Sequence, residues 1–123
     1  MKVIQTNTAP APVGPYSQAI ISGSFVFVAG QTPLLPESGE LVGPAVGEQT
    51  EQVIKNISAV LKAAGTSIEK VVKTTCFLSD MSNFSAFNEV YAKHFTGKPA
   101  RSTFAVKGLP KNALVEIEAI AEI

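Results

Sequence analysis

At 123 residues the chain can bury about two-thirds of its unfolded surface in one core, so neither a disulfide nor a metal is needed to hold a fold. Ten basic and ten acidic residues give a formal net charge of zero, with no Lys/Arg run to follow a phosphate backbone, which disfavours nucleic-acid binding as a main activity. Hydrophobic residues at 46% against 16% charged leave a lightly charged surface, part of which other subunits could cover.

The reactive residue types are few. The single cysteine, Cys76, excludes an intrachain disulfide and a Cys-cluster metal site, and its apolar neighbours read as those of a buried, inert thiol. The single histidine, His94, has no second His or Cys to join it, which argues against a metal site and against Ser/His/Asp catalysis. Chemistry then falls to Arg, Glu, Tyr, Thr and backbone groups. The stretch 1–5 runs into polar, Pro-rich sequence, so we expect no signal peptide, no membrane span and a cytoplasmic address.

In chain order, residues 7–16 carry Pro10, Pro12, Gly14 and Pro15, which forbid a regular helix and deliver Tyr16 as a bulky phenol just before a strand. Residues 17–21 and 25–29 read as a hairpin turning at Gly23, and the second strand runs out into Gly30 and Gln31. A glycine at a strand end lets the backbone come close to a partner or ligand. Residues 34–46 hold Pro36, Gly39, Gly43 and Pro44 and predict a connection with at most a short strand. No GxGxxG or Walker loop occurs there or elsewhere.

Val53, Ile54, Ile57, Val60, Leu61 and Ala64 recur at helical spacing, with Glu48 and Glu51 near the start and Gly65 past the end, predicting an amphipathic helix over 47–64. Residues 71–78 are β-branched and aromatic, hence a strand. Capping residues at 79–83 introduce a second helix over 84–95, whose Phe84, Phe87, Tyr91 and Phe95 form one apolar stripe with Asn88 at its margin.

The last quarter, residues 99–121, shows two alternating runs around Gly108, Pro110 and Asn112 and reads as an antiparallel hairpin. If its two apolar sets share a face, Arg101 and Glu118 share the opposite one, with Thr103 beside Arg101. Two readings of that face are open: a solvated surface whose ion pair is worth ~0 to 1 kcal/mol, or a functional site built on a guanidinium, a carboxylate and a nearby hydroxyl. The element order predicts one domain over 1–123, a two-layer α+β fold with two helices on one face of a mixed sheet. The other face needs water or another subunit.

Pro99, Ala100, Arg101 and Ser102, followed by Gly108, Leu109 and Pro110 and then by Val115 to Ala119, resemble the C-terminal signature of the RidA family, also called YjgF/YER057c/UK114. Gly14 to Ala19, the Gly30 and Gln31 pair, Val72 to Thr75, and Phe87, Asn88 and Tyr91 agree in order and spacing, so the likeness covers nearly the whole chain. It implies a chorismate-mutase-like fold assembled as a homotrimer around a central barrel, with sites between subunits and no cofactor or metal. It also implies 2-iminobutanoate/2-iminopropanoate deaminase activity, the hydrolysis of 2-aminoacrylate and related enamines and imines to 2-oxo acids and ammonia.

Residue by residue, the resemblance gives Arg101 the substrate carboxylate, Glu118 the attacking water, Tyr16 an aromatic wall, and Asn88 a polar contact. It places the backbone of Gly30 and Gln31 near the substrate nitrogen or water, and Thr103 within reach of the carboxylate. Many members carry cysteine at the position of Thr103 and serine at that of Ala29, so thiol side chemistry is not expected and substrate preference could shift. A non-catalytic carboxylate-binding module and an RNA-acting translation inhibitor are the competing readings.

Overall fold

The computed structural model describes residues 1–123. Eight elements follow the chain: β1 (Lys2–Ile4), β2 (Ala19–Ser22), β3 (Phe25–Gln31), α1 (Val46–Ala63), β4 (Val71–Leu78), α2 (Phe84–His94), β5 (Ala100–Ala105) and β6 (Val115–Glu122). The strands form one mixed sheet in the order β1-β2-β3-β6-β4-β5, with both helices packed on one face.

The local expectations hold where local chemistry decides. The β2–β3 hairpin turns at Gly23, whose φ of 60° suits a residue without Cβ. Helix α1 ends in a Schellman motif: Gly65, at φ 88°, donates to Lys62 O and Thr66 donates to Leu61 O. At its other end the Glu48 carboxylate accepts the Ala45 N–H at 2.9 Å. Val53, Ile57, Val60 and Leu61 are fully buried with Phe87, Val115 and Ile117, so the stripe of α1 and the inner face of β6 make the centre of the core. Residues 34–46 contain only a bridge between Leu34 and Leu41. The short edge strand β1 had no sequence signal beyond three residues.

The C-terminal hairpin is not formed. Strand β5 pairs with β4 in parallel, and β6 lies between β3 and β4, antiparallel to both. Two physical reasons decide this. The β4–α2–β5 segment is a strand–helix–strand crossover, which brings its strands together in parallel. The inward set of β6, Val115, Ile117, Ala119 and Ala121, is at most 1% exposed and belongs at the sheet's centre, whereas no residue of β5 is buried.

This topology moves Arg101. Thr74 lies opposite both Arg101 and Ala119, and Thr75 lies opposite both Ser102 and Glu118. Paired residues share a face, so Arg101 and Thr103 lie under the helices while Glu118 is on the open side. The expectation that Arg101 and Glu118 share a face is therefore corrected. Phe104, one of the apolar set that alternates with Arg101 and Thr103, is 45% exposed on the open face, edge-on to Phe77 at 5.4 Å between centroids.

Three buried amides tie the irregular segments down. Gln18 accepts the Thr6 N–H at 2.7 Å and donates to Pro10 O at 2.9 Å, fixing the loop that leads to Tyr16. Asn56 on α1 donates to Thr32 O and Leu34 O at 3.0 and 2.9 Å. Gln49 donates to Gly43 O and accepts the Leu114 N–H at 2.7 and 2.8 Å, linking the middle connection to the start of β6.

Candidate active site

The predicted site residues fall into two groups on opposite faces of the sheet. The first surrounds a cavity of about 760 Å³, lined by Tyr16, Gly30, Gln31, Glu116 and Glu118 together with the loops 10–13 and 32–39. Its focal point is a break in the β3–β6 ladder: regular pairing stops at Val28 and resumes at Gln31 with Ile117, so Ala29 and Gly30 form a bulge. Bulges re-aim side chains and backbone, and they recur beside functional sites.

Gly30 is there because of Glu116. A Cβ built on Gly30 would lie 3.0 Å from Glu116 Cδ and 3.3 Å from Cγ, and would collide with Oε2. Only a glycine lets this carboxylate rest on the β3 backbone. Burial in that crevice pushes the Glu116 carboxyl up from its ordinary value, and the Glu118 charge two positions along the same face pushes it further. Glu118 is exposed by comparison. Sequence alternation put the two glutamates on one face and gave Glu116 no role. The bulge, whose one sequence signal is Gly30 within the β3 run, distinguishes them.

Tyr16 is half exposed at the cavity, held by its N–H donating to Gly14 O at 2.9 Å. Gln31 is 5% exposed.

The second group is Arg101, Asn88 and Thr103. The Arg101 guanidinium donates from Nη1 to Asn88 Oδ1 at 2.7 Å, and its Cζ lies 4.7 Å from the Tyr91 ring centre and 5.6 Å from that of Phe84. These contacts explain why α2 carries an aromatic stripe with Asn88 at its margin: Phe87, Tyr91 and Phe95 are buried in the core, while Phe84 and Tyr91 also face the cation. The one close contact between a basic and an acidic side chain joins His94 to Glu51, so Arg101 has no carboxylate partner. The Thr103 hydroxyl oxygen is buried without a hydrogen-bond partner on the same strand face. Next to it, burial pushes the Cys76 thiol up, away from nucleophilic use. No three His, Cys, Asp or Glu side chains gather as a metal site.

A mixed sheet backed by two helices, with a carboxylate wedged at a ladder break and an arginine caged without a counter-charge, is the architecture of a protein that handles a small polar molecule. Comparison with known proteins agrees. A family model described as Endoribonuclease L-PSP matches residues 6–123, and the chain belongs to that family, the RidA or YjgF family.

The chain is 50% identical to the Arabidopsis thaliana protein named Reactive Intermediate Deaminase A, chloroplastic, over 99% of this chain and 66% of that one. It is 48% identical to the mouse 2-iminobutanoate/2-iminopropanoate deaminase, over 98% and 90% of the two chains. Among solved structures, E. coli TdcF with bound serine superposes with a TM-score of 0.95 at 39% identity, covering 100% of this chain and 99% of the other. No helix is long and apolar enough to cross a membrane.

Proposed function

We propose that this protein is an imine deaminase that hydrolyses 2-aminoacrylate, 2-iminopropanoate and 2-iminobutanoate to 2-oxo acids and ammonia. The observation that carries the reading is Arg101, a guanidinium gripped by aromatic faces and by Asn88 with no carboxylate of its own. A planar fork of donors suits a substrate carboxylate, and such charge-assisted bonds are worth about 1.5 to 3 kcal/mol each. The two relatives named as deaminases, near 50% identity, support the same chemistry.

Arg101 and the glutamates meet only if the site is shared between protomers, and we propose a homotrimer. Phe25, Phe27 and Phe104, each about two-fifths exposed on the sheet face without helices, favour burial against other copies. Edge strand β5, with one side unpaired, would bring Arg101, Asn88 and Thr103 of one protomer against its neighbour's cavity. Tyr16 then walls the substrate, and Gly30 and Gln31 offer backbone groups to its nitrogen or to water.

We assign the base to Glu116 rather than Glu118, because Glu116 rests on Gly30 and its raised pKa makes it the better proton acceptor near neutrality. With 2-aminoacrylate first tautomerised to its imine and the nitrogen protonated, the Glu116 carboxylate takes a proton from water as the oxygen bonds to the iminium carbon, giving a carbinolamine. The same carboxyl gives that proton to nitrogen, and ammonia leaves as the regenerated carboxylate takes the hydroxyl proton and C=O forms. A positioned base of this kind supplies roughly 10²- to 10⁴-fold. The carbon is already electrophilic, so the reaction needs no cofactor. The buried lone thiol suits a reducing compartment, and we place the protein in the cytoplasm.

The test is a coupled assay in which a pyridoxal-phosphate dehydratase generates 2-aminoacrylate and ammonia release is followed. Acceleration by the protein, lost in Arg101→Ala, is expected. Equal rates with and without the protein, alongside tight 2-oxo acid binding, would favour a binding module instead.

A further inference from the structure

Arg101 sits on the sheet's edge strand, where a long, flexible cation ordinarily stays in water because ordering it costs side-chain entropy. It is nonetheless held, and the group beneath it is held more firmly. Tyr91 is 6% exposed, stacks on Phe95 at 4.4 Å between centroids, and shares a 2.7 Å hydrogen bond between its hydroxyl and Thr74 Oγ1. Thr74 is fully buried and is the residue directly opposite Arg101 in the β4–β5 ladder. Strand β4, helix α2 and strand β5 are thereby joined in a closed circuit: Thr74 to Tyr91 by hydroxyls, Tyr91 to Arg101 by ring and cation, Arg101 to Thr74 by the sheet.

A phenylalanine and a valine would fill the same space without a hydrogen bond in the core. What the two hydroxyls add is direction: they set the tilt of the ring on which the guanidinium lies. Asn88 occupies only Nη1, and Nε and Nη2 make no hydrogen bond within the chain.

We propose that the buried Thr74–Tyr91 pair is a positioning device for Arg101, fixing the aromatic platform so that the free edge of the guanidinium is presented to the substrate carboxylate. The proposal rests on the imine deaminase reading in taking Arg101 as the carboxylate clamp. Neither Thr74 nor Tyr91 touches substrate; both act through Arg101. Because a carboxylate is held equally before and during reaction, the effect falls on KM and leaves kcat nearly unchanged.

The experiment measures pyruvate binding by calorimetry and deaminase kinetics in Tyr91→Phe, Thr74→Val and the double variant, each also in an Arg101→Lys background, with Arg101→Ala as the control. Each single change is expected to weaken pyruvate binding and raise KM about three- to tenfold, with kcat within about twofold and the double no worse than the worse single. In the Arg101→Lys background, where the fork that the platform aims is gone, the same changes are expected to do nothing further.

Unaltered pyruvate affinity and KM in the folded hydroxyl variants overturn the proposal, as do equal losses in the Arg101 and Arg101→Lys backgrounds. If the core variants do not fold, Phe84→Leu removes the outer wall of the cage, and unchanged pyruvate affinity there overturns it. Undiminished pyruvate binding by Arg101→Ala instead overturns the clamp reading beneath it, so the two failures are told apart.

Discussion

Replacing Gly30 with alanine separates the site's chemistry from its stability. The backbone of Gly30 is not in the left-handed region, so alanine is free to adopt it, and fewer unfolded conformations favour the variant by about 0.4 to 1 kcal/mol. The cost is steric and falls on one group. The added Cβ collides with Oε2 of Glu116, and its 3.0 and 3.3 Å approaches to Cδ and Cγ are also tighter than ordinary contact. The end of a flexible side chain is what must move, so the strand stays and the carboxylate leaves.

If that carboxylate is the base, its displacement removes up to the ~10²- to 10⁴-fold a positioned base supplies, about 3 to 5 kcal/mol at 1.36 kcal/mol per tenfold. Steady-state deaminase kinetics together with thermal unfolding test this: kcat should fall by at least tenfold while Tm stays within a few degrees. Since Glu116→Gln removes the same function, the double variant should be no slower than Glu116→Gln alone. A Gly30→Ala enzyme with full kcat, or a double variant slowed by the product of the two single effects, would refute the reasoning.

Arg101→Lys keeps the charge but loses the fork and the flat stacking surface, so KM should rise about ten- to a hundredfold with little change in kcat; an unchanged KM would mean that a point charge suffices. Glu118→Gln removes the like charge that helps to raise the Glu116 carboxyl, so Glu116 should lose its proton at lower pH and the rising limb of the kcat profile should move toward acid. A limb that stays put or moves toward alkali would exclude Glu116 as the titrating base. Phe27→Lys places a charge on the open sheet face and, on the trimeric reading, should give monomers in analytical ultracentrifugation, with loss of activity; an active trimer would exclude that face as the contact.

What could be read in the sequence, and what could not, divides along a physical line. Helix α1, the turn at Gly23 and the stop at Gly65 depend on neighbours within a few residues, and periodicity, a left-handed glycine and a cap report them directly. Strand pairing depends on which distant segments become adjacent. Alternation along residues 101–106 fixed which side chains share a face but not which face that was, and counting apolar groups favoured Phe104 for the core. A sounder signal was the strand, helix, strand order over 71–105, which calls for a parallel crossover between β4 and β5, together with the fully apolar inward set of β6, which calls for the sheet's centre. Likewise, nothing in the alternation of Val115 to Ala119 distinguishes Glu116 from Glu118. That difference comes from one bulged residue on another strand.

The opposite placement of the two charged groups has a consequence for how such a site stays ready. Had Arg101 and a glutamate shared a face at neighbouring positions, they would have neutralised each other, and a substrate carboxylate would have had to displace a covalently tethered competitor. On opposite sides of the sheet neither can reach the other within its own chain: the arginine lies against aromatic rings and an amide, and the carboxylate lies against a glycine backbone. Each is costly to keep unpaired, as the raised Glu116 carboxyl registers. On the trimeric reading that cost is offset by subunit burial, and the opposed charges face one another only across a cleft wide enough for substrate and water. Activity should then depend on protein concentration through assembly, and mixing inactive Arg101→Ala with inactive Glu116→Gln should regenerate sites in which both residues are intact. Recovery of about a quarter of the activity is expected from random mixing of shared sites, whereas no recovery in verified mixed trimers would place both residues in one protomer's site.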